Sequence, residues 1–238
     1  MDDDELIRRS VDGFGRMLTV VGHDGVGPGA VIDRRDALGA RIPDLTASPW
    51  FDAVVVPVGA TPPSDDPSLP YCIWSLTGPV DGRVPDPAVA MPCMGLTLDG
   101  PLPFDVPDVD VTTPSLAELG AMNDRAYGSD PVFAPLAARL TDGRVATHGL
   151  LDDGRFVCVA LTLALGDDLA IHYVATEADH RRRGLATALL AAVIAGGRDR
   201  GMRSTTLQAS PDGLPVYRRM GFRQVGLLQG WVRPQLPG

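Results

Sequence analysis

An α/β fold, with a mixed central sheet covered by helices, is predicted by three observations in this sequence. Apolar runs of strand length alternate with apolar stripes at helical spacing. A basic turn, Arg181-Arg182-Arg183-Gly184-Leu185-Ala186, joins one such strand run to one such helix stripe. Apolar residues make up 45% of 238 residues, enough to bury a core in one large domain or two smaller ones.

Taken in order, Leu6, Ile7, Val11 and Phe14 recur at helical spacing, and Gly13 and Gly15 weaken that helix towards its end. The Gly-rich residues 20–28 read as a loop. Residues 51–58 read as a strand whose consecutive Val54, Val55 and Val56 mark burial on both faces. Residues 60–70 hold four prolines and two aspartates and read as an exposed loop. Residues 71–76 are a second strand, whereas the apolar residues 91–98 have no periodicity that fixes their type. The stretch 100–110 reads as a linker between two halves.

The second half is more regular. Thr113-Pro114 reads as a helix cap and first helical residue, with Leu116, Leu119 and Met122 on one apolar face. Residues 131–140 form a short helix. Residues 145–151 and 155–165 pair as a hairpin through Asp152-Asp153-Gly154. A strand over 169–176 follows. Then Leu185, Ala188, Leu189, Ala192 and Val193 mark a helix that Gly196-Gly197 and Gly201 end. Residues 205–209 are a strand, 214–220 a short helix and 222–231 a final strand.

Composition excludes several classes. Lys and Arg total 21 against 30 for Asp and Glu, a formal charge of -9, which argues against nucleic acid as partner. It also makes Arg181 to Arg183 a local exception. No apolar run reaches the roughly 18 residues of a membrane span, and the acidic Asp2-Asp3-Asp4-Glu5 is unlike a signal peptide. Cys72, Cys93 and Cys158 lack metal-ligand spacing and read as buried free thiols of a reducing compartment. A cytoplasmic location is therefore expected, with neither membrane nor metal.

The basic turn carries the chemistry. A helix start presents unpaired backbone N–H groups and the positive end of the helix dipole, a ready site for phosphate or pyrophosphate. Gly184 eases the turn, and Ala186 is small enough for a ligand to approach the backbone. A solvated charge run is the bland alternative.

Two further segments narrow that reading: Leu207-Gln208-Ala209-Ser210, and Leu214-Pro215-Val216-Tyr217-Arg218-Arg219-Met220-Gly221-Phe222. With the turn, they make residues 144–231 resemble the catalytic core of the GNAT superfamily of N-acetyltransferases. Arg181-x-x-Gly184-x-Ala186 is similar to that family's acetyl-CoA pyrophosphate loop, with Ala186 where Gly is usual. The other segments are similar to its penultimate strand and to the short helix with a catalytic tyrosine. Residues 50–55 and Trp74 resemble two-part bacterial members whose first half is a diverged, incomplete copy of the fold. Residues 1–105 are then a GNAT-like domain without a cofactor loop, and 106–238 the catalytic domain.

The resemblance implies acetyl-CoA as donor and one cofactor site per chain. Backbone groups of Val174, Ala175 and Thr176 would pair with the pantetheine amides, and Arg181, Arg182, Arg183, Gly184, Leu185 and Ala186 would hold the pyrophosphate. Ser210 and Asp212 flank the thiol region, either touching ligand or capping the next helix. Tyr217, beside the sulfur, would be the general acid for the departing thiolate. Glu177 is the candidate general base, with Asp179, His172 and His180 nearby and a water relay as the alternative. Strand alternation sends one of His172 and Tyr173 to the cleft side. Phe133, Trp50, Trp74 and the first half are candidates to line the acceptor pocket. The implied function is N-acetylation of an unidentified primary amine by a monomer or homodimer. The alternative is a sensor or regulatory module that binds acyl-CoA without catalysis.

Overall fold

The computed structural model describes residues 1–45, 48–64, 66–128 and 131–234; Asp65 of the 60–70 loop and residues 235–238 of the second segment lie outside them. In chain order the elements are α1 (Asp3–Gly25), β1 (Val31–Asp33), β2 (Leu38–Ala40), β3 (Ala53–Val55), β4 (Cys72–Ser75) and β5 (Val84–Thr97). There follow α2 (Leu116–Tyr127), α3 (Phe133–Ala137), β6 (Val145–Asp152), β7 (Arg155–Leu165) and β8 (Asp168–Thr176). The chain ends with α4 (Leu185–Asp199), β9 (Ser204–Gln208), α5 (Leu214–Arg219) and β10 (Arg223–Val232).

The strands form one sheet in the order β1-β2-β3-β4-β10-β5-β9-β8-β7-β6. Two pairs are parallel, β3 with β4 and β8 with β9. The apolar residues 91–98, undecided from periodicity, fall almost wholly in β5, which lies between β10 and β9. The sheet thus runs on across residue 105. Alternation along β7 feeds two layers. Val159, Leu161 and Leu163 pack under α1, α2 and α3, whereas Cys158 and Ala160 pack under α4 and α5.

Helix α1 runs on to Gly25, into the 20–28 stretch expected to be a loop. Its start is well specified: Asp2 accepts from the Glu5 N–H at 2.8 Å, and Asp3, Asp4 and Glu5 face the positive helix end. Its glycines mark close approach rather than termination. A Cβ on Gly15 would lie 2.7 Å from both Leu38 and Val55, and one on Gly22 only 2.3 Å from the Ala40 Cβ. The helix is pressed against the sheet where ordinary side chains would hold it off. Gly22→Val should therefore destabilise the fold by about 2 kcal/mol, because overpacking outweighs the small gain in helix propensity. Urea denaturation measures this, and an unchanged midpoint would show that α1 has room to lift.

Two other ends differ from expectation. The cap of α2 is Ser115, in a reciprocal box with Glu118, rather than Thr113. The box supplies two hydrogen bonds where Thr113 and Pro114 offer one. Helix α4 continues past Gly196-Gly197, since a Cβ on Gly197 would lie 2.9 Å from Leu169, and stops near the left-handed Gly201.

Candidate active site

The site begins with a defect in β8. Parallel pairing of β8 with β9 ends at Ile171 and Leu207. Against β7, Leu161 faces His172 but Val159 faces Ala175, so β8 carries one extra residue. The bulge centres on Tyr173, whose φ of 50° is unusual for a non-glycine residue. It resets the alternation. Tyr173 stacks on Phe133 at 3.8 Å, on the α2/α3 side, while Val174 joins the core under α4 and α5. His172 does not line the cleft. Its Nε2 is buried without a hydrogen-bond partner among the described residues, and burial pushes its pKa down to about 3.

Beyond the bulge the strands diverge and open a cleft of about 1030 Å³. Val174, Ala175 and Thr176 form one wall, Ser210 and Tyr217 the other, and Arg181, Arg182, Gly184, Leu185 and Ala186 the end. The structure therefore gathers most of the residues read from sequence into one place. Arg183 and Glu177 are not in the lining. Arg183 donates to the Asp179 carbonyl at 3.2 Å. The Glu177 carboxylate accepts from Arg125 at 2.6 Å.

At the cleft end, Arg182 and Gly184 both take left-handed φ values, 64° and 79°. Gly184 is the N-cap of α4 and brings no side chain to its first turn. The opening N–H groups of α4 are thus left for a ligand, with the dipole behind them. Arg181 serves the loop's shape more than its charge. It donates to the Thr176 carbonyl at 3.2 Å and the Ala126 carbonyl at 2.7 Å, tying β8 to the last turn of α2. His180 lines the cleft and is held between Asp179 at 2.6 Å and Asp152 at 3.0 Å, which braces the loop on the β6–β7 turn.

Tyr217 is 7% exposed and meets Phe222 edge-on at 5.8 Å. Burial raises its pKa above the ordinary tyrosine range, and nearby Tyr127 and Cys158 add to the effect. The phenol therefore keeps its proton at neutral pH. The Cys158 thiol, pushed up to about 11 by burial, is also neutral.

Sequence reasoning missed Tyr127 and Arg219 as lining residues. Tyr127 belongs to no motif, whereas Arg219 lies within the tyrosine segment but was given no role there. Of the aromatic candidates for an acceptor pocket, Trp74 and Phe133 are core at 0% and 1% exposure, whereas Trp50 is 43% exposed. Among the described residues no group of side chains could hold a metal ion, and no helix is long and apolar enough to cross a membrane.

The architecture is the GNAT acetyltransferase fold, a mixed sheet flanked by helices with an N-terminal extension before the domain that defines the family. Residues 126–229 match the family model described as the acetyltransferase (GNAT) domain. The chain is similar to a GCN5-related N-acetyltransferase from Kribbella flavida, at 16% identity over 93% of this chain and 96% of that one, with a TM-score of 0.61. It is also similar to a GNAT-family structure from Novosphingobium aromaticivorans DSM 12444, at 18% identity over 92% and 97%, with a TM-score of 0.57. A tandem GNAT protein from the clavulanic acid biosynthesis pathway is 14% identical over 71% of this chain and 66% of that one, with a TM-score of 0.52. At such identities the likeness is one of fold. No curated protein matches the sequence.

Proposed function

We propose that the protein is an N-acetyltransferase that moves an acetyl group from acetyl-CoA to a primary amine by direct attack on the thioester. The observation that carries this reading is a convergence. The uncapped start of α4, the unpaired edge of β8 and the protonated phenol of Tyr217 all face one cleft. Acetyl-CoA supplies the activated acyl group. The first N–H groups of α4 hold its pyrophosphate, and Val174, Ala175 and Thr176 pair with the pantetheine as an added strand does. Tyr217 donates its proton to the departing thiolate and is reprotonated, through solvent, by the proton that the attacking nitrogen sheds as the amide forms.

The acceptor must be neutral to attack. Because Arg125 holds Glu177 outside the lining, the ammonium proton passes to water at the cleft mouth in this reading. Residues 1–105 we read as a diverged copy of the same fold. In support, β3 and β4 repeat the parallel pairing of β8 and β9. No helix joins β3 to β4 among the described residues, so that pair lacks the strand-to-helix turn on which the proposed α4 site is built.

Thiol release from acetyl-CoA across a panel of primary amines tests the reading. The rate should rise with pH as the acceptor loses its proton and then stay level. Tyr217 acts in its protonated form, and its raised pKa keeps that form populated past the usual tyrosine value of about 10. A fall in rate well below that pH, or no release with any amine, would overturn it.

A further inference from the structure

One side chain meets β8 where it parts from β9. Tyr127, the last residue of α2, donates to the Val174 carbonyl at 3.5 Å. Ser210 stands on the opposite wall of the cleft, where its Oγ accepts from the Gly213 N–H at 3.2 Å. The Tyr127–Val174 contact lies just past the last ladder pair, Ile171 with Leu207. A carbonyl that loses its strand partner is costly unless another donor meets it. For Val174 that donor is Tyr127.

The hold is weak and its base is firm. A 3.5 Å separation is long for a hydroxyl donor, whose bonds cluster near about 2.8 Å, and Tyr127 is 60% exposed. The turn beneath it is fixed by Arg181 on the Ala126 carbonyl and by Arg125 on Glu177. A better-placed donor can therefore take Val174 from Tyr127 while the backbone of α2 stays in place.

We propose that Tyr127 is an internal competitor of the cofactor's pantetheine arm, so that an acyl-CoA binds by exchanging the Tyr127–Val174 hydrogen bond for one from its own amide. The proposal rests on the acyl-CoA reading of the cleft. It adds to the cofactor site a residue that senses the arm and ignores the nucleotide. A ligand with a pyrophosphate but no arm, such as ADP, leaves Tyr127 where it is.

Titration calorimetry of the full chain with CoA and with ADP tests this, using Tyr127→Phe to keep the ring and remove the hydroxyl. The variant should bind CoA about two- to fivefold more tightly, the lower range for one hydrogen bond, and ADP equally well. Unchanged or weaker CoA binding overturns the proposal, as does an equal gain for ADP, which would place the effect in the loop. If the parent protein binds no CoA, the acyl-CoA reading itself fails.

Discussion

Tyr217→Phe should lower turnover at least about tenfold, the low end for a lost general acid, and leave CoA affinity unchanged. The two readouts separate because the substitution removes one oxygen and nothing else. The ring is 7% exposed and keeps its edge-on contact with Phe222, so packing around α5 survives. The proposed pyrophosphate site is at the start of α4, on another element. A tenfold loss corresponds to about 1.4 kcal/mol of transition-state stabilisation, modest for proton donation to a thiolate. Initial rates of thiol release measure the first quantity and calorimetry with CoA the second. Equal turnover in the two proteins would leave Tyr217 a core aromatic.

Much of this site was legible because its signals are local. A strand run, a basic glycine turn and a helix stripe in succession mark a candidate anion site, and the structure brings that turn to the end of the cleft. The Asp152-Asp153-Gly154 turn was equally readable, and Asp153 and Gly154 take the two positive φ values, 47° and 75°, that a tight hairpin needs. The misreadings were non-local. Gly15 and Gly22 look like helix breakers within their own window, and only the proximity of Leu38, Val55 and Ala40 explains them. The Tyr173 bulge has no sequence signal, since neither glycine nor asparagine marks it. It nevertheless decides that Val174 faces the cleft.

Charge was legible in amount but not in use. Three consecutive arginines suggested three ligands for a phosphate. Two of them donate to backbone carbonyls and fix the loop instead. Glu177 adjoins the relevant strand end in sequence, yet its partner Arg125 comes from α2, an element that no spacing rule connects to it. Buried carboxylates follow the same pattern. Asp124 accepts from the N–H groups of Phe133 and Ala134 at the start of α3, and Asp52 from those of Ile42 and Tyr71. Each is an acid that composition alone would place on the surface.

Gly184→Val should weaken CoA binding about ten- to hundredfold while moving the melting temperature little. The residue sits at φ 79° and ψ 4°, a region that β-branched side chains avoid at a cost of about 1–3 kcal/mol. That cost is conformational and not steric, because a Cβ there would meet nothing within 4 Å. An exposed turn with open space around it relieves such strain by moving. The fold keeps its stability, and the opening N–H groups of α4 lose their aim. Since every 1.4 kcal/mol is a factor of ten in affinity, the relieved strain reappears as lost binding. ADP affinity should fall in parallel, because the pyrophosphate is common to both ligands. Gly184→Asn, which tolerates the left-handed region better, should keep more of it. If the valine variant instead bound CoA as tightly as its parent, the anion site would have to lie elsewhere in the cleft, with the exposed guanidinium groups of Arg182 and Arg219 the remaining cationic lining.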